Sequence, residues 1–184
     1  MFGDDKIRVL DGIELGVAIC RSQCTMLKSK ILRGILMAKF EIIVGSVLGA
    51  SEYVADALQE VFLDHKHSAE IHLTPQLSDL DQNTTWLICT STHGAGDLPD
   101  NIQAFAEELK IQNLSKHTFL IVGLGDSSYD TYCHGSIQIE NIMLNGGAKI
   151  LCPALHIDVL NHPIPEDAAV KWLKIWLELN EQAA

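Results

Sequence analysis

From Phe40 onward the chain alternates short apolar runs with longer stretches of helical period, and this alternation constrains the fold more than any other feature. Strands buried on both faces read as near-continuous Val, Ile and Leu runs, and parallel neighbours need a crossover of a dozen or more residues, usually a helix. Runs at about 40–45, 70–73, 85–90, 117–123 and 149–156 read as the strands. Between them Tyr53, Ala57, Leu58, Val61 and Phe62 recur at helical spacing, and Ile102, Phe105, Ala106 and Leu109 repeat the theme. A third helix is predicted over 135–145, stopped by Gly146-Gly147, and a last one from Glu166 to about Leu179 with Trp172, Leu173 and Trp176 on one face. The stretch 74–84 is too short for a full helix, so Leu77 to Leu80 forms at most a single turn. The pattern predicts an α/β fold, a doubly wound five-stranded parallel sheet covered by helices.

The 184 residues suit one domain with a sizeable core. Residues 1–36 stay outside the alternating pattern, and Met37 looks like a natural start, so they are read as a leader separate from the folded domain at 37–184. Within that leader, Gln23 to Leu36 has the spacing of a basic amphipathic helix, with Leu27, Ile31 and Ile35 on one side. The net charge of −11 is uneven: residues 1–36 hold six Lys/Arg against four Asp/Glu, and the rest seven against twenty. Such an acidic body repels nucleic acid and anionic membrane and favours partners with basic surfaces. Five cysteines, Cys20, Cys24, Cys89, Cys133 and Cys152, form no CxxC pair, so neither a disulfide framework nor a zinc site is expected and a reducing cytoplasm fits best. Because no apolar run approaches the roughly 18 residues of a membrane span, and Asp4, Asp5, Asp11 and Glu14 stand where a secretory signal is basic, neither anchoring nor secretion is expected.

In a doubly wound sheet, ligands sit beyond the carboxyl ends of the strands where the strand order reverses. The loop after the first strand, Gly45-Ser-Val-Leu-Gly-Ala-Ser-Glu52, offers hydroxyls on Ser46 and Ser51, backbone N–H groups and a helix N-terminus, which together hold a phosphate without Lys or Arg. An ordinary strand-to-helix turn, with Ser51 as cap and Gly49 supplying an unusual backbone angle, accounts for the same residues about equally well. No Gly-Lys-Ser/Thr follows, which argues against a nucleoside triphosphate loop. The single GxGxx stretch, Gly123-Leu-Gly-Asp-Ser, follows the fourth strand and ends in Ser, which disfavours a dinucleotide fingerprint. After the third strand, Ser91-Thr-His-Gly-Ala-Gly-Asp-Leu-Pro-Asp-Asn101 places two glycines where a backbone approaches a flat ring closely. After the fourth, Gly123-Leu-Gly-Asp-Ser-Ser-Tyr-Asp-Thr-Tyr-Cys133 brings Tyr129 and Tyr132 to the same end, where an aromatic either stacks on a planar ligand or packs inward.

Taken together, SxxGxSE, STxGxGxxPxN and GLGDSSYxxYC in this order resemble the flavodoxin family and the FMN domains of diflavin reductases. The resemblance runs from about residue 40 to the C-terminus. It is strongest to the short MioC-type flavodoxin-like proteins, in the stretches STHGAGDLPDN at 91–101 and HPIPED at 162–167. It implies FMN as cofactor and an electron carrier in place of an enzyme with its own substrate. Ser46, Val47, Leu48, Gly49, Ala50 and Ser51 would hold the phosphate. Thr92, His93, Gly94, Ala95 and Gly96 would line one side of the isoalloxazine; Leu124, Gly125, Asp126 and Tyr129, with Tyr132 and Cys133, would line the other, Tyr129 as the stacking ring. Gly94 matches the glycine whose carbonyl meets the protonated flavin N5, and Asp158 matches an acidic position near the flavin.

Many relatives carry threonines where this chain has Val47, Leu48 and Ala50, which points to weaker phosphate binding. His93 leaves stacking, hydrogen bonding and a solvent-facing position open. The implied partners are a basic-faced flavodoxin reductase and an acceptor enzyme, biotin synthase for MioC-type proteins, with the carrier itself a monomer or weak dimer. An NAD(P)H-dependent FMN reductase of the same fold is the alternative, and the absence of Lys and Arg from all three loops weighs against it. Because the strand pattern is complete from Phe40, a chain starting at Met37 is expected to fold and to bind FMN as the full chain does, checked by circular dichroism and flavin absorbance. An insoluble or flavin-free truncation would make residues 1–36 part of the core.

Overall fold

The structure, a computed structural model, describes residues 37–181, so the leader and its amphipathic stretch lie outside the described residues. The strands are β1 (Lys39–Gly45), β2 (Ser68–His72), β3 (Thr85–Ser91), β4 (Thr118–Gly125), β5 (Lys149–Ile150) and β6 (Leu155–Asp158). The helices are α1 (Ala50–Asp64), α2 (Asp100–Leu109), α3 (His134–Asn145) and α4 (Pro165–Glu181), and Leu77–Asp79 makes the single turn expected before β3. The sheet order is β2-β1-β3-β4-β5, every pairing is parallel, and β6 also pairs with β4.

The alternation of each strand sorts the core into two layers. Ile42, Val44, Leu87, Cys89, Leu120 and Val122 point to one face and meet Val54, Leu58 and Phe62 of α1 and Ala169, Trp172, Leu173 and Trp176 of α4. Ile43, Trp86, Ile88, Phe119 and Ile121 point to the other and meet Ile102, Phe105 and Leu109 of α2 and Ile139 and Met143 of α3. Phe40 stacks on Phe62 with ring centroids 4.0 Å apart, tying β1 to α1. With both faces covered, the central strands carry no polar alternation, and this is why they were readable as plain apolar runs.

Three strands depart from the expected bounds, β4 by running on to Gly125. β2 begins at Ser68, not 70, because an edge strand tolerates exposed polar residues that dilute its apolar signal. The predicted strand 149–156 is split. Ile150 pairs with Phe119 and Leu155 with Val122, so five steps along this strand match three along β4, and Leu151 to Ala154 bulge out. Pro153 sits within the bulge; it has no N–H for the ladder and is tolerated in a sheet mainly at such interruptions. Among the described residues no helix is long and apolar enough to cross a membrane.

One carboxylate, Glu41, is buried completely within this sheet. The Glu41 side chain on β1 is fully buried, and it takes Lys39 Nζ at 2.9 Å, His72 Nε2 at 2.7 Å and the Asp81 N–H at 3.3 Å. Burial alone raises its pKa, but these three partners outweigh burial and hold the carboxyl below its ordinary value of 4.5. A carboxyl with a depressed folded-state pKa adds stability that is complete above its unfolded value and is lost as pH falls through the folded one. Glu41→Gln is therefore expected to cost about 2 kcal/mol of unfolding free energy at pH 7, with the difference from wild type shrinking below pH 4.5. Urea titrations at pH 7 and pH 3.5 check this, and a pH-independent difference would contradict it.

Candidate flavin site

All strands point one way, so the loops after β1, β3 and β4 meet at one end, beside the reversal of strand order between β1 and β3. The first loop is tightly organised. Gly49 stands at the N-cap of α1 in the left-handed region at φ 91, with its N–H donated to Ser46 Oγ at 2.9 Å. The Ser46 N–H is donated to Asn101 Oδ1 at 3.0 Å, and Asn101 Nδ2 donates to the carbonyls of Val44 at 2.8 Å and Leu73 at 2.7 Å. One carboxamide at the start of α2 thus joins the end of β1, the loop after it and the residue following β2.

Ser51 does not act as the N-cap; it lies within the first turn of α1 and is fully buried. Its Oγ has no hydrogen-bond partner. Of the three buried side-chain polar atoms without one among the described residues, it alone sits at a helix N-terminus. There the first-turn N–H groups lack intrahelical acceptors and the helix dipole favours an anion. Val47 and Leu48 are exposed at the loop tip, Leu48 to 93%, so their side chains turn to solvent and only their backbone is available to a ligand.

The second loop closes as a five-residue turn. His93 and Asp97 form an isolated antiparallel bridge, with the His93 N–H donated to the Asp97 carbonyl at 2.9 Å and the Asp97 N–H returned to the His93 carbonyl at 2.7 Å. Gly94 at φ 52 and Gly96 at φ 112 make the reversal possible, and His93, Gly94 and Ala95 are exposed. In the third loop Asp126 Oδ1 accepts from the N–H and hydroxyl of Ser128, and Tyr129 is 65% exposed. Thr92 and Gly94 on one side and Gly125, Asp126, Tyr129 and Thr131 on the other enclose a cavity of about 360 Å³.

Not every expected residue reaches this cavity with its side chain. Leu124 is buried in the core, so only its backbone is at hand. Cys133 is buried beneath the loop with its thiol donated to the Gly123 carbonyl at 3.5 Å, and burial pushes the thiol pKa up to about 12, leaving it neutral. Tyr132 packs its ring edge-on to His156 at 6.2 Å, with burial raising its hydroxyl pKa. Asp158 is engaged by its own neighbourhood: its carboxylate accepts from Ser127 Oγ at 2.6 Å, the Ser127 N–H at 3.2 Å, the Leu160 N–H at 3.1 Å and Asn161 Nδ2 at 2.5 Å. These bonds, led by that from the Ser127 hydroxyl, hold it below the usual carboxylate range. It braces the third loop against β6 instead of pointing at the cavity. Asn101, Ser127 and Thr131 were given no role from the sequence. Asn101 had a signal, as the Asn of PxN, whereas the other two acquire meaning only through tertiary contact.

The flavodoxin profile matches residues 42–172. The chain belongs to the flavodoxin family. It is 42% identical to protein MioC of Escherichia coli K12 over 145 residues, covering 78% of this chain and 99% of that protein. It is 33% identical to flavodoxin YqcA of the same organism over 146 residues, covering 76% and 97%. Among solved structures it superposes on a cysteine-to-alanine mutant of flavodoxin from Pseudomonas aeruginosa with a TM-score of 0.71, 29% identity and coverage of 78% and 99%. The expected short-chain flavodoxin fold and the likeness to MioC are therefore both found. As a flavodoxin this chain binds FMN and carries electrons, with no substrate reaction of its own.

The orphan hydroxyl leads to a separable prediction. Ser51→Ala removes no hydrogen bond from the FMN-free protein, so its urea midpoint should stay within error of wild type. A bond to a charged group is worth about 1.5–3 kcal/mol, so FMN affinity should fall roughly 10- to 100-fold. Fluorescence titration measures the affinity, and an unchanged dissociation constant would remove Ser51 from the phosphate site.

Proposed function

We propose that this chain takes electrons from a basic-faced flavodoxin reductase and delivers them to an acceptor enzyme in the cytoplasm, the acceptor being biotin synthase as the resemblance to MioC-type proteins implies. The observation that carries the binding mode is the Ser51 hydroxyl, buried and unpartnered at the N-terminus of α1. The donor set there, hydroxyls and backbone N–H groups with no cation, fits a phosphate monoester that arrives with its own charge. Ser46 orders the loop through the Gly49 N–H, and its hydroxyl hydrogen is still free to be donated.

Bound FMN supplies the chemistry, accepting and releasing electrons one at a time. The chain's residues position the ring and set its surroundings. In this reading the turn at 92–96 covers one side and the backbone of 124–126 the other, with the exposed Tyr129 ring stacked against it. Gly94, exposed at φ 52, presents a carbonyl whose peptide turns with little steric cost. Asp97, Asp126 and Asp130 put negative charge near the ring, which disfavours adding further charge to it. Val47, Leu48 and Ala50 contribute backbone only.

The same acids form the docking rim. Asp97, Asp100 and Asp130 are exposed, Asp126 is half-exposed, and the three loops carry no Lys or Arg. A reductase or acceptor with a basic face would be steered to this end, which raises the association rate more than the affinity. Mixing the FMN-loaded protein anaerobically with NADPH, with and without a flavodoxin reductase, separates carrier from reductase: flavin reduction should require the partner, and rapid reduction by NADPH alone would favour the enzyme reading. The rate with the partner should fall steeply as salt rises past roughly 0.1 M, where the Debye length is about 10 Å. Replacing Asp97, Asp126 and Asp130 together by Asn should flatten that dependence, and a triple variant with the wild-type salt slope would contradict the steering account.

A further inference from the structure

The 93–97 turn, closed by its own bridge, is anchored to the segment entering α3 along one half only. A Cβ on Gly96 would lie 2.7 Å from His134 Nδ1 and 3.0 Å from Thr131 Cγ2, so this half is pressed onto the segment entering α3. The helix also reaches back to the start of the loop. The Gly135 N–H donates to Thr92 Oγ1 at 3.1 Å, and α3 stands so close to β3 that a Cβ on Gly135 would meet the Ser91 carbonyl at 2.6 Å. One turn further along α3, Gln138 Nε2 donates to the Gly96 carbonyl at 2.6 Å, bridging residues 42 apart in sequence. A carbonyl only accepts, so the amide nitrogen must be the atom that faces it. The other half of the turn has no comparable hold. Gly94 and Ala95 are exposed, and the atom nearest a Cβ built on Gly94 is Asp97 Oδ2 at 3.5 Å.

We propose that Gln138 is a positioning residue for electron transfer: by holding the Gly96 carbonyl it confines rearrangement of the 93–97 turn to the Gly94–Ala95 peptide, a role that rests on the flavin reading of this end of the sheet. A turn free along its whole length spreads over many backbone states and must be ordered, at an entropic cost, whenever it contacts a ligand. With the Gly96 end held, one peptide remains to respond when the cofactor changes charge. A difference in the affinity of the protein for two redox states is by linkage a shift in potential. Gln138 acts on the cofactor through Gly96, not by touching it.

Three variants of the full chain test this. Gln138→Leu and Gln138→Glu remove the donor at nearly constant size, and Gln138→Lys keeps an N–H donor on a chain long enough to reach. Without FMN, the amides of Gly96 and Asp97, both donated to the His93 carbonyl, should exchange at least about tenfold faster in the Leu and Glu variants, with the amides of β1 and β4 and the urea midpoint as in wild type. With FMN, the ratio of dissociation constants for the oxidised and one-electron reduced cofactor should change about tenfold, equal to about 59 mV in a one-electron potential. The Lys variant should stay near wild type in both readouts. Wild-type exchange at Gly96 and Asp97 in the Leu and Glu variants, unshifted potentials in both, or a Lys variant displaced as far as the Leu variant would each overturn the proposal. A wild-type chain that binds no FMN while the exchange effect persists would instead overturn the flavin reading and leave the clamp by Gln138 standing.

Discussion

Every pairing in the sheet is parallel, and much of the remaining architecture follows from that constraint. A parallel strand cannot be reached by a tight hairpin, so the connections between neighbouring strands cross over, most of them through a helix that covers one face, and only β5 and β6 follow one another along the same partner. The carboxyl ends of the strands then all lie at the same end of the domain, and every loop leaving them is available to one site. Burial on both faces supplies the driving force, from two apolar layers centred on Phe62 and Trp172 on one side and Trp86 and Phe105 on the other. The end that receives the ligand is consequently built from backbone, small residues and a few bridging amides on a rigid support.

Those bridging groups divide the work among themselves. Asn101 fixes the loop after β1 to β1 and to the residue after β2; Asp158 fixes the third loop to β6; Gln138 and the Gly135 N–H fix the second loop to α3. None of the four needs to touch a ligand. Asn101, Asp158 and Gln138 satisfy backbone groups that a loop would otherwise leave to water, the Gly135 N–H holds the Thr92 hydroxyl, and all four limit the conformations the loops must lose on binding. What is left unsatisfied, chiefly Ser51 Oγ and the N-terminal amides of α1, is what the proposed phosphate site uses.

The order of strands and helices was legible in the sequence because a sheet covered on both faces leaves continuous apolar runs, and the loops were legible because small and hydroxyl residues recur at three strand ends. The edge strand at Ser68–His72 and the bulge around Pro153 were less so. Exposure blurs the apolar pattern in the first, and in the second an apolar run continues through residues that leave the ladder. Within the candidate site, the sequence places loops at strand ends but does not say which way their side chains turn. Tyr132 and Cys133 lie at the end of the third loop and Asp158 at the end of β6, yet which way each side chain turns is set by His156, Gly123 and Ser127. Glu41 is the sharpest case, a full charge in the middle of an apolar strand that is intelligible only when Lys39, His72 and Asp81 are seen around it.

The account stands on a phosphate-anchored flavin at the N-terminus of α1, and the most direct measurement is a fluorescence titration of the flavin-free chain with FMN and, separately, with riboflavin, which has the same ring and no phosphate. If the Ser46 and Ser51 hydroxyls and the first-turn amides hold the phosphate, FMN binds one to one and riboflavin binds more than about 100-fold more weakly, the loss expected from two or more hydrogen bonds to a charged group. Equal affinity for the two, or no binding of FMN, would contradict it.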